Sequence, residues 1–155
     1  MSKRPGIGLS VLVYNRSNNS ILLSKRLKDK SQWATPGGNL ELFENLEECA
    51  ARELKEETDL SIQNKELHFL FFKNLIIKKE NYHYLDFFFT CLFPNDQKII
   101  NTEPDKHSDW EWVGLEELFG GKVDNLFIGL KTVLEEMKSP ENLKKKIEEA
   151  FEYKN

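Results

Sequence analysis

The chain has 155 residues, the usual size of one globular domain, and its 39% hydrophobic content, with eleven Phe, four Tyr and three Trp, excludes a disordered chain. Lys plus Arg is 22 against 26 Asp plus Glu, a net charge of −4, which argues against nonspecific binding to duplex nucleic acid. No apolar run reaches membrane-spanning length, the N-terminal MSKRPGIGLSV lacks the apolar core of a signal peptide, and Cys49 and Cys91 form no CxxC, so the expectation is a cytoplasmic protein without disulfide framework, zinc site or membrane partner.

The β-branched, apolar segment Gly6 to Tyr14 predicts a strand, and the turn cluster NRSNNS (15–20) predicts a hairpin returning along Ile21 to Arg26. Leu27 to Gln32 reads as a loop. WATPGGNL (33–40) reads as a turn with special backbone needs at Pro36, Gly37 and Gly38. Helical spacing of Leu46, Cys49, Ala50 and Leu54 predicts a helix over Asn45 to Thr58, with Asn45 as N-cap and Glu48 three residues on. Leu67 to Lys79 and Tyr82 to Phe93 are strands around a KKEN turn, and Trp110 to Val113 is a short strand. Leu115 to Phe119 is a helical turn, and Asn125 to Lys138 a helix that Ser139-Pro140 breaks. A final amphipathic helix spans about 142–153. The pattern is an α/β (α+β) layered architecture in a single domain over 1–155.

The acids are unevenly spread. Between Glu41 and Asp59 stand seven Glu and one Asp against Arg52 and Lys55, a local net of −6, which leaves +2 for the remainder. Glu53, Glu56 and Glu57 project from roughly one helix face, where like charges cost about 0.2–0.5 kcal/mol per pair. A divalent cation reverses that cost, and oxygen-only donors favour Mg²⁺ or Mn²⁺. Such a cation suits a phosphorylated substrate. A merely solvated acidic face is the alternative.

The flanking residues decide between them. The segment GNLELFENLEECAARELKEETDL, Gly38 to Leu60, resembles the Nudix box, G-x(5)-E-x(7)-R-E-U-x-E-E-x-G-U. Gly38, Glu44, Arg52, Glu53, Leu54, Glu56, Glu57 and Leu60 all match, and Asp59 stands where the family has Gly. A helix ending at Thr58 puts residue 59 in a position that is often left-handed, which Asp tolerates better than most non-glycine residues. Its charge sits badly at a negative helix end.

The resemblance implies a Nudix-type α/β/α sandwich with a mixed central sheet, and it assigns roles. Glu53, Glu56 and Glu57 would hold Mg²⁺, and one of them or a nearby carboxylate would deprotonate the attacking water. Arg52 would pair with Glu44 and orient the helix, and Gly38 would offer its carbonyl to the metal. Glu103 would add a loop carboxylate, or be an ordinary turn acid. Glu41 is mainly solvated charge near the edge of the site.

Outside the box the chain is similar to the MutT-like nucleotide-triphosphate diphosphatases, in Trp33 to Gly38, Glu47 to Ala50, Glu80 to Tyr84, Glu103 to Val113 and Leu126 to Leu130. That similarity implies Mg²⁺-dependent hydrolysis of a nucleoside triphosphate, an oxidised or modified purine among them, to monophosphate and pyrophosphate, in nucleotide-pool sanitation. The partner would be a small nucleotide and not a nucleic-acid polymer. The aromatic strands could support a homodimer.

In a nucleobase pocket, Tyr84 and Asp86 share one strand face; Asp86 either accepts hydrogen bonds from a base or lies on an exposed edge. Phe127, Gly129 and Leu130 form an opposite wall or plain core. Arg26 either meets the phosphates or is a solvated strand end. His68, His83 and His107 show no partner pattern and read as structural or surface residues. The competing functions are hydrolysis of another nucleoside-diphosphate-linked or isoprenyl diphosphate substrate, and a noncatalytic ligand- or RNA-binding domain. Retention of every box carboxylate disfavours the last.

Overall fold

The computed structural model describes residues 4–153. Its centre is β1 (Gly6–Asn15), an apolar strand covered on both faces. Leu12 and Tyr14 enter one core, while Leu9, Val11 and Val13 enter the other. A strand apolar on both faces needs cover on both.

On one side β1 runs parallel to β6 (Tyr82–Leu92) from Gly6↔Tyr84 to Tyr14↔Leu92, and β6 pairs antiparallel with β5 (His68–Ile77). On the other side lies β2 (Ser20–Arg26), which meets β1 only at Tyr14↔Ile21 and Asn15↔Ser20. The two strands then part. β1 takes β4 (Gly37–Asn39) as its neighbour, and β2 takes β3 (Gln32–Ala34) and β7 (Glu111–Gly114). This fork opens the sheet where the cleft described below lies.

Helix α1 (Leu46–Thr58) seals one face with Cys49, Ala50 and Leu54. Helices α2 (Leu115–Phe119), α3 (Ile128–Met137) and α4 (Pro140–Glu152) seal the other with Leu115, Leu118, Leu130, Val133, Leu143 and Ile147. The result is the expected α/β/α sandwich on a mixed seven-stranded sheet. Cys49 and Cys91 are buried free thiols. No helix among the described residues is long and apolar enough to cross a membrane.

Three local expectations need correction. The Pro-Gly-Gly segment is not a simple turn, because its glycines form β4. A side chain on Gly37 would strike the Leu9 carbonyl, so only glycine lets this strand approach β1. Helix α3 begins at Ile128 rather than Asn125, because Asn125 is left-handed (φ 53°) and donates its amide to the Lys30 carbonyl, 2.8 Å away. Pro140 starts a helix: Lys138 (φ 69°) ends α3, Ser139 caps α4 by accepting from Asn142 N, and Pro140 occupies a first-turn position where no N–H is needed.

Asp59 is left-handed as the sequence implies (φ 61°, ψ 12°). Its charge is compensated, for Lys55 Nζ lies 2.6 Å from its carboxylate. Asp59→Gly exchanges relief of left-handed strain for loss of an exposed ion pair. The unfolding free energy in urea is therefore expected to change by less than about 1 kcal/mol.

Candidate active site

Helix α1 is fixed at its start by a capping box. Glu48 N donates to Asn45 Oδ1 at 2.8 Å, and Asn45 N donates to Glu48 Oε2 at 2.9 Å. One turn on, Arg52 ties the helix to the segment before it. Its guanidinium donates to both Glu44 oxygens (2.7 and 3.1 Å) and to the Asn39 carbonyl at the end of β4 (3.0 Å). The forked geometry suits Arg and no other side chain. Arg52 holds the Glu44 carboxyl down to about 2.

Arg52 also donates to Glu53 (2.9 Å) and Glu56 (3.3 Å), and lies 3.7 Å from exposed Glu41. Glu53 is packed against Gly38, where any side chain would collide with its carboxylate. Burial, and then the charge of Glu57, push the Glu53 pKa up. Glu57 is 3% exposed. Its Oε1 accepts from Gly37 N (3.1 Å), its Oε2 lies 3.0 Å from His107 Nε2, and its backbone carbonyl accepts from Trp110 Nε1 (3.0 Å). Glu53 and Glu57 therefore line one cleft, while Glu56 is half exposed beside Arg52. Among the described residues, no three carboxylate, histidine or cysteine groups converge on one point, since Glu53 and Glu56 turn to Arg52 and Glu57 to His107. Glu103 lines the cleft and pairs with Lys106 (2.6 Å). Its loop is anchored to α1 by Thr102 Oγ1, which donates to the Glu56 carbonyl.

His107 is a cleft residue that sequence reasoning treated as structural. It bridges Glu57 to Ser24, whose Oγ is 3.3 Å from Nδ1, and packs on Trp110. Glu57 and Ser24 come from other elements, and no motif spacing signals them.

The cleft has a volume of about 390 Å³. Beyond the carboxylates it is walled by Tyr82, Tyr84, Asp86, Phe127 and Leu130. Tyr82 and Tyr84 stack at 4.8 Å between centroids. Leu130 is core and wall at once, 1% exposed. Gly129 backs Asp86, since a Cβ there would lie 3.2 Å from Oδ2. Arg26 lines the mouth with its guanidinium 3.9 Å above the Phe127 ring and 2.5 Å from Asp29.

Asp86 faces inward and is 6% exposed. It accepts from Ser10 Oγ at 3.1 Å, and burial pushes its pKa up to about 6. A raised folded-state value means that the ionised form opposes folding. The cost is absent below the ordinary aspartate value near 4, and grows to its full size above about 6. Asp86→Asn is thus expected to stabilise the fold at pH 7.5 by about 1–3 kcal/mol, and to lose that advantage near pH 4. Urea melts at both pH values check it.

A carboxylate helix clamped to Glu44 by Arg52 is the arrangement that the box residues imply, and comparison with known proteins gives the class. The NUDIX domain family model matches residues 4–137. The chain belongs to the Nudix family and is a Nudix hydrolase. An RNA pyrophosphohydrolase of Pelagibacter ubique (strain HTCC1062) is 32% identical over 149 residues, covering 87% of this chain and 91% of that protein. An RNA pyrophosphohydrolase of Wolbachia pipientis subsp. Culex pipiens (strain wPip) is 26% identical over 151 residues, covering 88% and 90%. A MutT NUDIX hydrolase from Burkholderia pseudomallei superposes with a TM-score of 0.75 at 22% identity, covering 86% of this chain and 98% of that structure, a likeness of fold.

Proposed function

We propose that this protein is a Mg²⁺-dependent pyrophosphohydrolase that cleaves a nucleoside 5′-triphosphate to the monophosphate and pyrophosphate. The observation that carries the reading is the placement of half-buried Glu53 against the side-chain-free backbone of Gly38 and of buried Glu57 on Gly37 N, at one end of a cleft whose other wall is aromatic. The donor set fits a hard cation. It is all oxygen, and Glu53 is held above its ordinary pKa by burial and by Glu57, a penalty that a nearby positive charge removes. Glu53, Glu56, Glu57 and the Gly38 carbonyl would hold Mg²⁺ or Mn²⁺, with Glu103 at the edge. Holding the cation would take Glu53 and Glu56 from Arg52 and Glu57 from His107. The bound cation would neutralise phosphate oxygens and make water more acidic.

The chain's own residues do the rest. Arg52 keeps α1 in register with Glu44 and Asn39. A cleft carboxylate takes the proton from water. The water oxygen bonds to phosphorus as the bridge between the α- and β-phosphates breaks, and the bridging electron pair leaves with the departing product, pyrophosphate for attack at the α-phosphorus or nucleoside monophosphate for attack at the β-phosphorus. Tyr82, Tyr84 and Phe127 supply apolar walls for a base.

Two relatives are RNA pyrophosphohydrolases by name, which favours a second reading in which the triphosphate is the 5′ end of an RNA. Net charge of −4 argues against gripping a polymer along its length, but not against admitting one terminus. The test is a panel of nucleoside triphosphates, diphosphates and a 5′-triphosphorylated oligoribonucleotide with Mg²⁺, followed by product identification. Monophosphate plus pyrophosphate from free triphosphates is expected. Faster turnover of the oligoribonucleotide establishes the second reading. Release of orthophosphate alone, or no turnover of any member, refutes the proposal.

A further inference from the structure

Resting on the nucleotide reading of the cleft, we infer that Asp86 is a specificity-determining residue that selects a guanine-type base, receiving the ring N1–H and the 2-amino group on its two carboxylate oxygens. Asp86 belongs to β6 and Gly38 to β4, the strands on either side of β1. Two strand spacings separate them, about 10 Å, so a nucleotide with its phosphates at Gly38 and Glu53 carries its base towards Asp86.

The surroundings of Asp86 are those of a directed acceptor. Its neighbours on β1 and α3 are glycines, and its β5 neighbour Lys73 pairs with Glu136. A Cβ at Gly8 would lie 3.4 Å from Oδ1, and one at Gly129 would lie 3.2 Å from Oδ2. Absent side chains leave the carboxylate open to a flat ligand edge. Ser10 Oγ donates to Oδ2 and the Phe87 backbone N–H also reaches the carboxylate, and the two fix the group's orientation. Among the described residues no lysine, arginine or histidine forms an ion pair with Asp86, so its remaining lone pairs are not spent on an internal cation. With only Ser10 and the Phe87 N–H donating to it, a buried carboxylate gains from further N–H donors.

An ionised carboxylate only accepts. Of the common bases, guanine alone presents two adjacent N–H donors on one edge. Adenine and cytosine each set a ring acceptor beside their amino group, and that lone pair faces the carboxylate. Uracil offers one N–H between two carbonyls. The first-turn amides of α3, at Ile128 to Leu130, have no carbonyl partner within the helix and flank Asp86 through Gly129. They are donors suited to the guanine carbonyl next to N1. Stacked Tyr82 and Tyr84 and the ring of Phe127 supply the apolar walls.

The experiment reads the base without hydrolysis. Binding of GMP, IMP and AMP to the whole protein is measured by calorimetry. GMP is expected to bind at least about tenfold more tightly than AMP, with IMP, which lacks the 2-amino group, between them. In Asp86→Asn, one acceptor and one donor replace two acceptors, a set that matches adenine, so the order of GMP and AMP is expected to invert. Gly129→Ala, which crowds Oδ2, is expected to reduce the wild-type discrimination to under about threefold and stands in should Asp86→Asn fail to fold. Equal binding of GMP and AMP, no binding of any monophosphate, or an unchanged order in Asp86→Asn with unchanged discrimination in Gly129→Ala overturns the inference. Absence of triphosphate hydrolysis alongside a GMP preference refutes the proposed reaction and leaves the assignment of Asp86 standing.

Discussion

Glu57→Gln is expected to lower the Mg²⁺-dependent kcat by about a hundredfold to a thousandfold, while the protein still folds. The amide keeps the size of the side chain, and its oxygen can still accept from Gly37 N. What it loses is the charge that, with Glu53, gives the cleft its anionic end. A cation that stabilises the phosphate charge contributes several kcal/mol at the reacting centre, and each 1.4 kcal/mol is a factor of ten in rate. Glu53→Gln is expected to behave alike, with a difference in stability. Burial holds Glu53 above its ordinary pKa, so the neutral amide lightens a penalty in the metal-free protein. A slower enzyme of equal or higher melting temperature is the signature. Steady-state kinetics with a thermal melt reads both quantities, and undiminished kcat in both variants rules out the metal-site assignment.

Arg52→Ala is expected to lower kcat about tenfold to a hundredfold, with KM changed only a few-fold. Arg52 is a positioning residue. It binds Glu44 through two hydrogen bonds and reaches the Asn39 carbonyl, so it joins α1 to the end of β4 and thereby sets Glu53 against Gly38. Its loss also leaves Glu53 and Glu56 without their shared counter-charge. Arg52→Lys keeps the charge but cannot form the fork, so only part of the rate is expected back. Full activity in Arg52→Lys would mean that charge alone matters. A loss of stability with kcat intact would make the clamp structural only.

The parts of this molecule that were legible in the sequence are those whose cause is local. The Asn45–Glu48 capping box and the left-handed Asp59 follow from spacings of a few residues, the pairing of Arg52 with Glu44 is what the resemblance to the Nudix box implies, and the structure shows all three. The two faces of β1 follow from its apolar continuity. What the sequence did not disclose depends on long-range pairing. The fork between β1 and β2 arises because Gly37 and Gly38 enter the sheet, which composition alone reads as a turn. His107 reaches Glu57 and Ser24 only through the loop that precedes β7. The orientation of Asp86 was open until β6 was fixed beside β1 and Ser10 came within hydrogen-bonding distance. The local −6 between Glu41 and Asp59 also resolves into distinct groups. Glu44 is consumed by Arg52, Glu48 by the helix cap and Asp59 by Lys55; Glu41 and Glu47 lie outside the box positions, and Glu53, Glu56 and Glu57 make up the proposed metal site.

The central claim is that these carboxylates hold a divalent cation, and the most direct measurement is Mn²⁺ binding followed by electron paramagnetic resonance in the absence of any nucleotide. The wild-type protein is expected to bind Mn²⁺, Mg²⁺ is expected to displace it, and the double variant Glu53→Gln/Glu57→Gln is expected to bind it at least about tenfold more weakly while melting as a folded protein. Equal Mn²⁺ affinity in the wild type and the folded double variant would contradict the account.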